Sequence, residues 1–194
     1  MKIALFLSLI WLPGVALGQA QRTTAQAFGV SVNTSTINQK TPAAVAPAED
    51  GMAQNESGEV TIASMVTAHN AYAVASGSSD RSYSNAVGNA SLGTVIILDG
   101  LITATGVVAI ATSTPDGNDF NGSSVSNLVV NGVAMSAPEP NTRVDLPDVG
   151  YVVLNERIST RSGITVNMIH VVLDQNGRYG AGDIIVGSAS SNVK

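Results

Sequence analysis

The chain contains no cysteine, and aromatic residues occupy only 4% of its 194 positions. No disulfide can staple it, and thiolate metal sites are excluded. A lipid anchor carried on an N-terminal cysteine is excluded by the same absence. Scarce aromatics argue against a sugar site built on stacked rings, and the single Trp11 falls in the apolar N-terminal stretch. Charged residues make up only 12%, with a net charge of −5 and nine scattered basic residues. Nucleic-acid binding needs a basic footprint, so no nucleic-acid partner is expected. The two histidines, His69 and His170, stand far apart, and no Gly-x-Ser-x-Gly elbow occurs. A histidine-assisted hydrolase and a zinc centre both lack the parts they need.

What is present suits a packed body. Hydrophobic residues reach 44%, too apolar and too weakly charged for a disordered chain, and the length fits one domain. Lys2 precedes the apolar run from Ile3 to Leu17, with small residues at Ala16, Gly18 and Ala20. This order predicts a secretory signal over residues 1–20, cleaved after Gly18 or Ala20, and a single mature domain over 21–194. The apolar run is interrupted by Pro13 and Gly14 and is shorter than the roughly 20 residues that span a bilayer. No membrane span is expected in the mature product, and a secreted or cell-surface location follows.

Phe28, Val30 and Val32 alternate with Gly29, Ser31 and Asn33, a period-two pattern that predicts a half-buried strand. Residues 38–58 carry Pro42, Pro47, Gly51 and Gly58 without a period, and predict a solvated linker or long loop. The stretch 59–76 suits strands, with a helix as the alternative for its alanine-rich part. Asp99-Gly100 and Asn131-Gly132 each sit between apolar runs, and such dipeptides supply the positive φ angles of a two-residue hairpin. Leu98 should pair with Leu101, and Val130 with Val133. Further strands are expected at 151–154, 164–173 and 184–188. In the second of these, apolar side chains occupy both parities, which predicts a central strand covered on both faces. About nine short strands without an amphipathic helix give an all-β fold, a two-sheet antiparallel β-sandwich, with a β-barrel as the runner-up.

Few residues invite chemistry. Asp116, Asn118, Asp119 and Asn121 share a glycine-containing loop and are candidate calcium ligands, although the EF-hand order is not met and such loops commonly exist to turn the chain. Asp174-Gln-Asn-Gly177 and Gly182-Asp183 share that ambiguity, and turn formation is again the simpler reading. Glu156 ends a strand beside Asn155, and a turn-stabilising Asn with a solvated Glu is expected. His170 is expected as a hydrogen-bonded core or inter-sheet residue, and His69 as a loop or strand-edge residue. No catalytic residue, cofactor or metal is assigned, and the chain is expected not to be an enzyme.

One ordered set of segments carries more. Asn127-Leu-Val-Val-Asn-Gly-Val-Ala-Met135, Pro140-Asn-Thr142, Tyr151-Val-Val-Leu-Asn-Glu156, Ile164-Thr-Val-Asn-Met-Ile-His-Val-Val-Leu173 and Gly182-Asp-Ile-Ile-Val-Gly187 follow in sequence. Gly100-Leu-Ile-Thr-Ala104 and Ala27-Phe-Gly-Val-Ser-Val32 extend the set upstream. Together they resemble the choice-of-anchor P family of secreted bacterial surface domains. The resemblance implies a non-enzymatic structural or surface-associated protein of the bacterial envelope or extracellular matrix. Relatives often carry a cysteine pair, whose places here fall on Ala111 and Ser191. Those two residues should then lie within disulfide reach, with Cα atoms about 4.4–6.8 Å apart. Self-association or contact with other envelope proteins remains open. A filament built by strand exchange is one alternative, with Phe28, Val30 and Val32 as the exchanged residues, although pairing at home is the expected state of an isolated chain. An adhesive or ligand-binding module is another.

Overall fold

The computed structural model describes residues 22–47, 50–80 and 83–194, so the expected signal over residues 1–20 lies outside the described residues. The chain folds into thirteen strands: β1 Thr23–Thr34, β2 Asn38–Val45, β3 Gly51–Ile62, β4 Val66–Ser79, β5 Ser84–Ile97, β6 Ile102–Thr114, β7 Gly117–Asp119, β8 Ser124–Val130, β9 Val133–Met135, β10 Thr142–Leu146, β11 Gly150–Ser159, β12 Gly163–Leu173 and β13 Gly182–Val193. Every pairing is antiparallel. Sheet A runs β10-β11-β12-β13-β1-β2, and sheet B runs β3-β4-β5-β6-β8-β9 with β7 added to the far end of β6. The two sheets face each other over one shared core, and edge strands remain at both ends of each. The fold is thus the sandwich and not the barrel.

Both hairpins fall where the dipeptides place them. Val130 pairs with Val133, and Asn131 and Gly132 take φ of 49° and 76°. At the other, Ile97 pairs with Ile102 and the Leu101 N–H donates to the Leu98 carbonyl, so the register is the expected one. Leu98 departs from it in one respect: its φ is 50° and its own N–H donates to the Met65 carbonyl at 2.8 Å, leaving the ladder. The alanine-rich stretch is strand, not helix.

Residues 38–58 correct the sequence reading, since they carry β2 and the first part of β3. Both are edge strands with few inward side chains, so neither shows the alternation that marks a half-buried strand. Pro42 is admissible there because an edge residue need not donate to a neighbour. The Asn55 side chain donates to the Ala43 carbonyl at 3.3 Å, lacing the two edges together across the sandwich.

The second correction concerns β12. It is central, between β11 and β13, but it is covered on one face only: Ile164, Val166 and Met168 are buried, then Ile169, Val171 and Leu173. Apolar residues occupy both parities because the inward parity changes between Met168 and Ile169. The same change occurs at the same rung of neighbouring strands. In β1 the buried set passes from Ala25 and Ala27 to Val30 and Val32, and in β13 from Ile184 and Val186 to Ala189 and Ser191. Sheet B repeats it from Val66 and Ala68 to Ala71 and Ala73, and from Ile102 and Ala104 to Val107 and Ala109. A transverse crease therefore crosses each sheet. Left-handed residues stand on it, at Asn155 (φ 50°) and Gly187 (φ 65°) in sheet A and at Asn70 (φ 53°), Gly106 (φ 57°) and Asn127 (φ 48°) in sheet B. These residues reset which way the following side chains point in β4, β6, β8, β11 and β13, whereas β1, β5 and β12 change parity beside them without one, and Asn and Gly adopt that conformation most readily. The two creases lie on each other: a Cβ built on Gly187 would stand 2.7 Å from Val107 Cγ1, and one on Gly29 would stand 3.3 Å from Ala71 Cβ.

The crease also divides the core. On one side Ile62, Val66, Ile97, Ile102, Leu128 and Val130 of sheet B meet Val30, Val32, Leu154, Ile169, Ile184 and Val186 of sheet A. On the other, beyond Leu92 and Val107 beside the crease, the inward side chains of β4, β5 and β6 are small: Ala71, Ala73 and Ala75, then Ala86 and Ala90, then Ala109, Ala111 and Ser113. Side chains this small let the sheets approach. At Gly88 a Cβ would come within 2.6 Å of the Gln26 carbonyl oxygen and 2.8 Å of that of Ser190.

Candidate functional site

The largest cluster of interacting polar side chains among the described residues lies on the outer face of sheet A, along the crease. Glu156 of β11 pairs with Asn167 of β12, which pairs with Ser188 of β13, so three outward side chains share one rung. The Ser188 hydroxyl donates to Asn167 Oδ1 at 2.6 Å, and Asn167 Nδ2 donates to Glu156 Oε2 at 2.6 Å. His170 reaches the same carboxylate through Nδ1 at 2.9 Å and meets Asp183 Oδ1 through Nε2 at 3.3 Å. Asn33 Nδ2 lies 3.5 Å from the other Asp183 oxygen. The His170 and Glu156 side chains are each 17% exposed, against 38% for Asp183.

Electrostatics follow from these contacts. The hydrogen bond to Glu156 holds the His170 pKa above its ordinary 6.5 against the opposing effect of burial, with Asp183 adding to the rise. Reciprocally, the bond from His170 holds Glu156 below its ordinary 4.5, again against burial, and Asn167 assists. Carboxylate oxygens only accept, so a ring between two of them is held best with both nitrogens protonated. The ring thereby clamps β11, β12 and β13 together. Both ring nitrogens are engaged, and the nearby Ser188 hydroxyl is directed to Asn167 instead of to the ring. The arrangement lacks the nucleophile-to-base contact of a hydrolytic triad.

Several sequence readings change here. Glu156 is not a solvated strand end but the hub of this cluster, because the crease at Asn155 turns it toward Asn167. Asn155 spends its side chain on the Pro138 carbonyl at 3.1 Å. His170 is hydrogen-bonded, as expected, but on the outer face instead of between the sheets. His69 is neither loop nor edge: it lies inside β4, opposite Glu59 and Thr94. Asp183 joins the cluster because β12 and β13 pair, a long-range fact that residue types do not reveal.

Three of the four calcium candidates are committed elsewhere, and the fourth, Asp116, is exposed and donates its backbone N–H to the Thr114 hydroxyl at 3.3 Å. Asn118 accepts from the Ser113 hydroxyl at 2.8 Å and donates to the Thr160 carbonyl at 3.2 Å. Asp119 accepts from the Asn121 backbone N–H at 2.6 Å and from its side chain at 2.8 Å. These contacts fold the loop and dock β7. No group of three or more His, Asp or Glu placed to hold a metal occurs among the described residues. At Asp174 the carboxylate accepts from the Asn176 N–H at 3.0 Å, the expected turn.

The strand-exchange candidates divide. Val30 and Val32 are fully buried in the core, whereas Phe28 faces outward beneath Lys40, whose Nζ stands 4.4 Å from the ring centroid. β1 pairs within its own chain, with β13 on one side and β2 on the other. Since β2 has no other partner in sheet A, exchange would have to move β1 and β2 together. As for the cysteine places implied by the resemblance, the side chain that meets Ser191 is Ser113, at 2.8 Å between hydroxyl oxygens. Ser113 lies one inward position beyond Ala111 on β6.

Sequence reasoning also missed a cavity of about 380 Å³ on the same outer face, one rung from the Glu156 row and lined by residues of β1, β2, β11, β12 and β13. No helix among the described residues is long and apolar enough to cross a membrane. Comparison with known proteins finds no matching family model, no matching curated protein and no matching solved structure.

Proposed function

We propose that this chain is an exported, non-enzymatic β-sandwich module of the bacterial envelope or extracellular matrix, related to choice-of-anchor P domains. The observation that carries the reading is the ordered set of family-like segments, which falls on the contiguous run β8 to β13 and on β1 and β6. The polar chemistry is consistent with a structural role: His170, Glu156 and Asp183 spend their hydrogen bonds tying strands together. Export is tested by expressing the full chain in a bacterial host, separating the cell fractions and weighing the protein intact. A mature mass beginning at Gln19 or Gln21 in the extracellular or surface fraction is expected. A cytoplasmic product retaining Met1 would refute it.

Assembly by strand exchange is the second reading, motivated by the edge position of β2 beside β1. Light scattering on the purified protein separates the two. A monomer is the expected result, and heterogeneous high-mass species would favour exchange because a head-to-tail contact need not close.

A further inference from the structure

We infer that the cavity on the outer face of sheet A is a binding site for a neutral, polyhydroxylated chain, an uncharged oligosaccharide. Its floor is formed by Thr165, Ser190 and Gln26, which stand side by side on β12, β13 and β1, with Thr24 on the next outward rung of β1. At its two ends lie Ile158 and Val45, which are 51% and 64% exposed.

Three observations point to this ligand class. First, the floor groups are uncommitted. Along the adjoining rung the hydroxyl, amide, carboxylate and imidazole groups are all engaged with one another. Within the cavity, Thr160 and Asn192 are likewise engaged, with the Gly163 carbonyl and the Ser162 hydroxyl. The side chains of Thr24, Gln26, Thr165 and Ser190 make no intramolecular hydrogen bond among the described residues. Second, no residue lining the cavity is ionisable, so neither an anionic nor a cationic polymer finds a complementary charge. Glu156 nearby and the net charge of −5 further disfavour an anion. Third, hydroxyls and a primary amide both donate and accept, which matches sugar hydroxyls, and adjacent strands set these groups about 4.8 Å apart, a spacing that successive sugar units can follow. Methyl groups of Val45 and Ile158 can take the apolar faces of sugar rings, so hydrogen bonding replaces the aromatic stacking that the composition rules out. The cavity is the size of a small-ligand site. The inference holds wherever the protein resides and whether or not it assembles.

The test is a titration of the 15N-labelled protein with maltotriose, cellotriose and laminaritriose, followed by amide chemical shifts, with tri-galacturonate as the charged comparison. Saturable shifts centred on Thr24, Gln26, Thr165 and Ser190 are expected with at least one neutral sugar, at a Kd near about 1 mM. The double variant Thr165→Val, Ser190→Ala should keep the spectrum of the folded protein and bind about tenfold more weakly, since ligand hydroxyls lose two of their partners. Absence of saturable shifts with all three neutral sugars, shifts centred elsewhere, an equal response to tri-galacturonate, or unchanged affinity in the folded variant would each overturn the proposal. Should that variant fail to fold, Gln26→Ala, at an exposed position, decides by the same criterion.

Discussion

Gly88 offers a sharp test of the claim that the sheets approach closely in one half of the sandwich because sheet B lines that half mainly with alanine. Replacing it with alanine adds a single methyl group, directed at the Gln26 carbonyl oxygen at 2.6 Å, the Ser190 carbonyl oxygen at 2.8 Å and the Ser190 nitrogen at 3.1 Å. All three are backbone atoms of β1 and β13, which are paired at the centre of sheet A and cannot swing aside like the end of a flexible side chain. Relief requires the sheets to part locally, which opens gaps around Ala90 and Ala111. Overpacking of this kind costs about 1–3 kcal/mol. Working against it is a gain of about 0.4–1 kcal/mol from the smaller conformational freedom of the unfolded chain. A net loss of about 1–2 kcal/mol remains, or about 2–8 °C in Tm for a domain of this size. Gly58→Ala is the control, because a Cβ there meets nothing within 4 Å. It should leave stability unchanged or raise it by about 0.4–1 kcal/mol. Urea titrations of the two variants and the parent measure both differences. If Gly88→Ala proves as harmless as Gly58→Ala, the close approach of the sheets is wrong.

Stability should depend on pH through the clamp on β12. The raised His170 pKa gives a contribution fully present below 6.5 and lost as pH rises through the folded value, and the lowered Glu156 pKa gives one present above 4.5 and lost as pH falls through its folded value. Urea midpoints should therefore show both contributions in full between 4.5 and 6.5, and His170→Gln should remove the alkaline decline; a decline unchanged in that variant would refute the assignment. At the inter-sheet contact, Ser113→Cys with Ser191→Cys should form a disulfide on oxidation, seen by mass and thiol titration. It closes a separation of 78 residues and should raise stability by about 4 kcal/mol relative to the reduced form, and free thiols after oxidation would contradict the contact. On the crease, Asn70→Gly should be nearly neutral, whereas Asn70→Val should lose about 1–2 kcal/mol, because a β-branched residue resists a φ of 53°. Equal stability of these two variants would remove the left-handed residue as the cause of the parity change.

The fold class was legible because it depends on local signals that tertiary structure rarely overrides. Asn131-Gly132 demands positive φ at adjacent positions, and a hairpin is the cheapest way to satisfy it between two apolar runs. The edge strands were not legible for the complementary reason. A strand with one neighbour and few inward side chains has no buried face to impose a period, so Asn38 to Val45 carries the composition of a loop while forming a ladder with β1 that is interrupted only at Pro42. The misreading of β12 is more instructive. Apolar residues at 164, 166 and 168 followed by 169, 171 and 173 form two half-length period-two patterns out of phase, and a single window merges them into one two-sided strand. The cue was present in other strands, at Asn155, Gly187, Asn70 and Gly106, each a residue tolerant of left-handed φ in the middle of an apolar stretch. Each looked like an isolated turn former because their alignment across neighbouring strands is a property of register, which one strand at a time does not disclose.

The candidate site follows from the same crease. In sheet A, two consecutive side chains point inward where the parity changes, such as Met168 and Ile169, so the residues flanking that pair, Asn167 and His170, both emerge on the outer face three positions apart. Without the change, Asn167 and His170 would point to opposite faces, and Glu156 could not accept from both. The polar row that saturates its own hydrogen bonds is therefore a product of the crease. One rung further, normal alternation has resumed. Thr165, Ser190 and Gln26 there stand in a row closed by Ile158 and Val45, with no carboxylate or imidazole within the cavity. The groups closest to the irregularity are consumed in holding it, and those next to it are left free to bind.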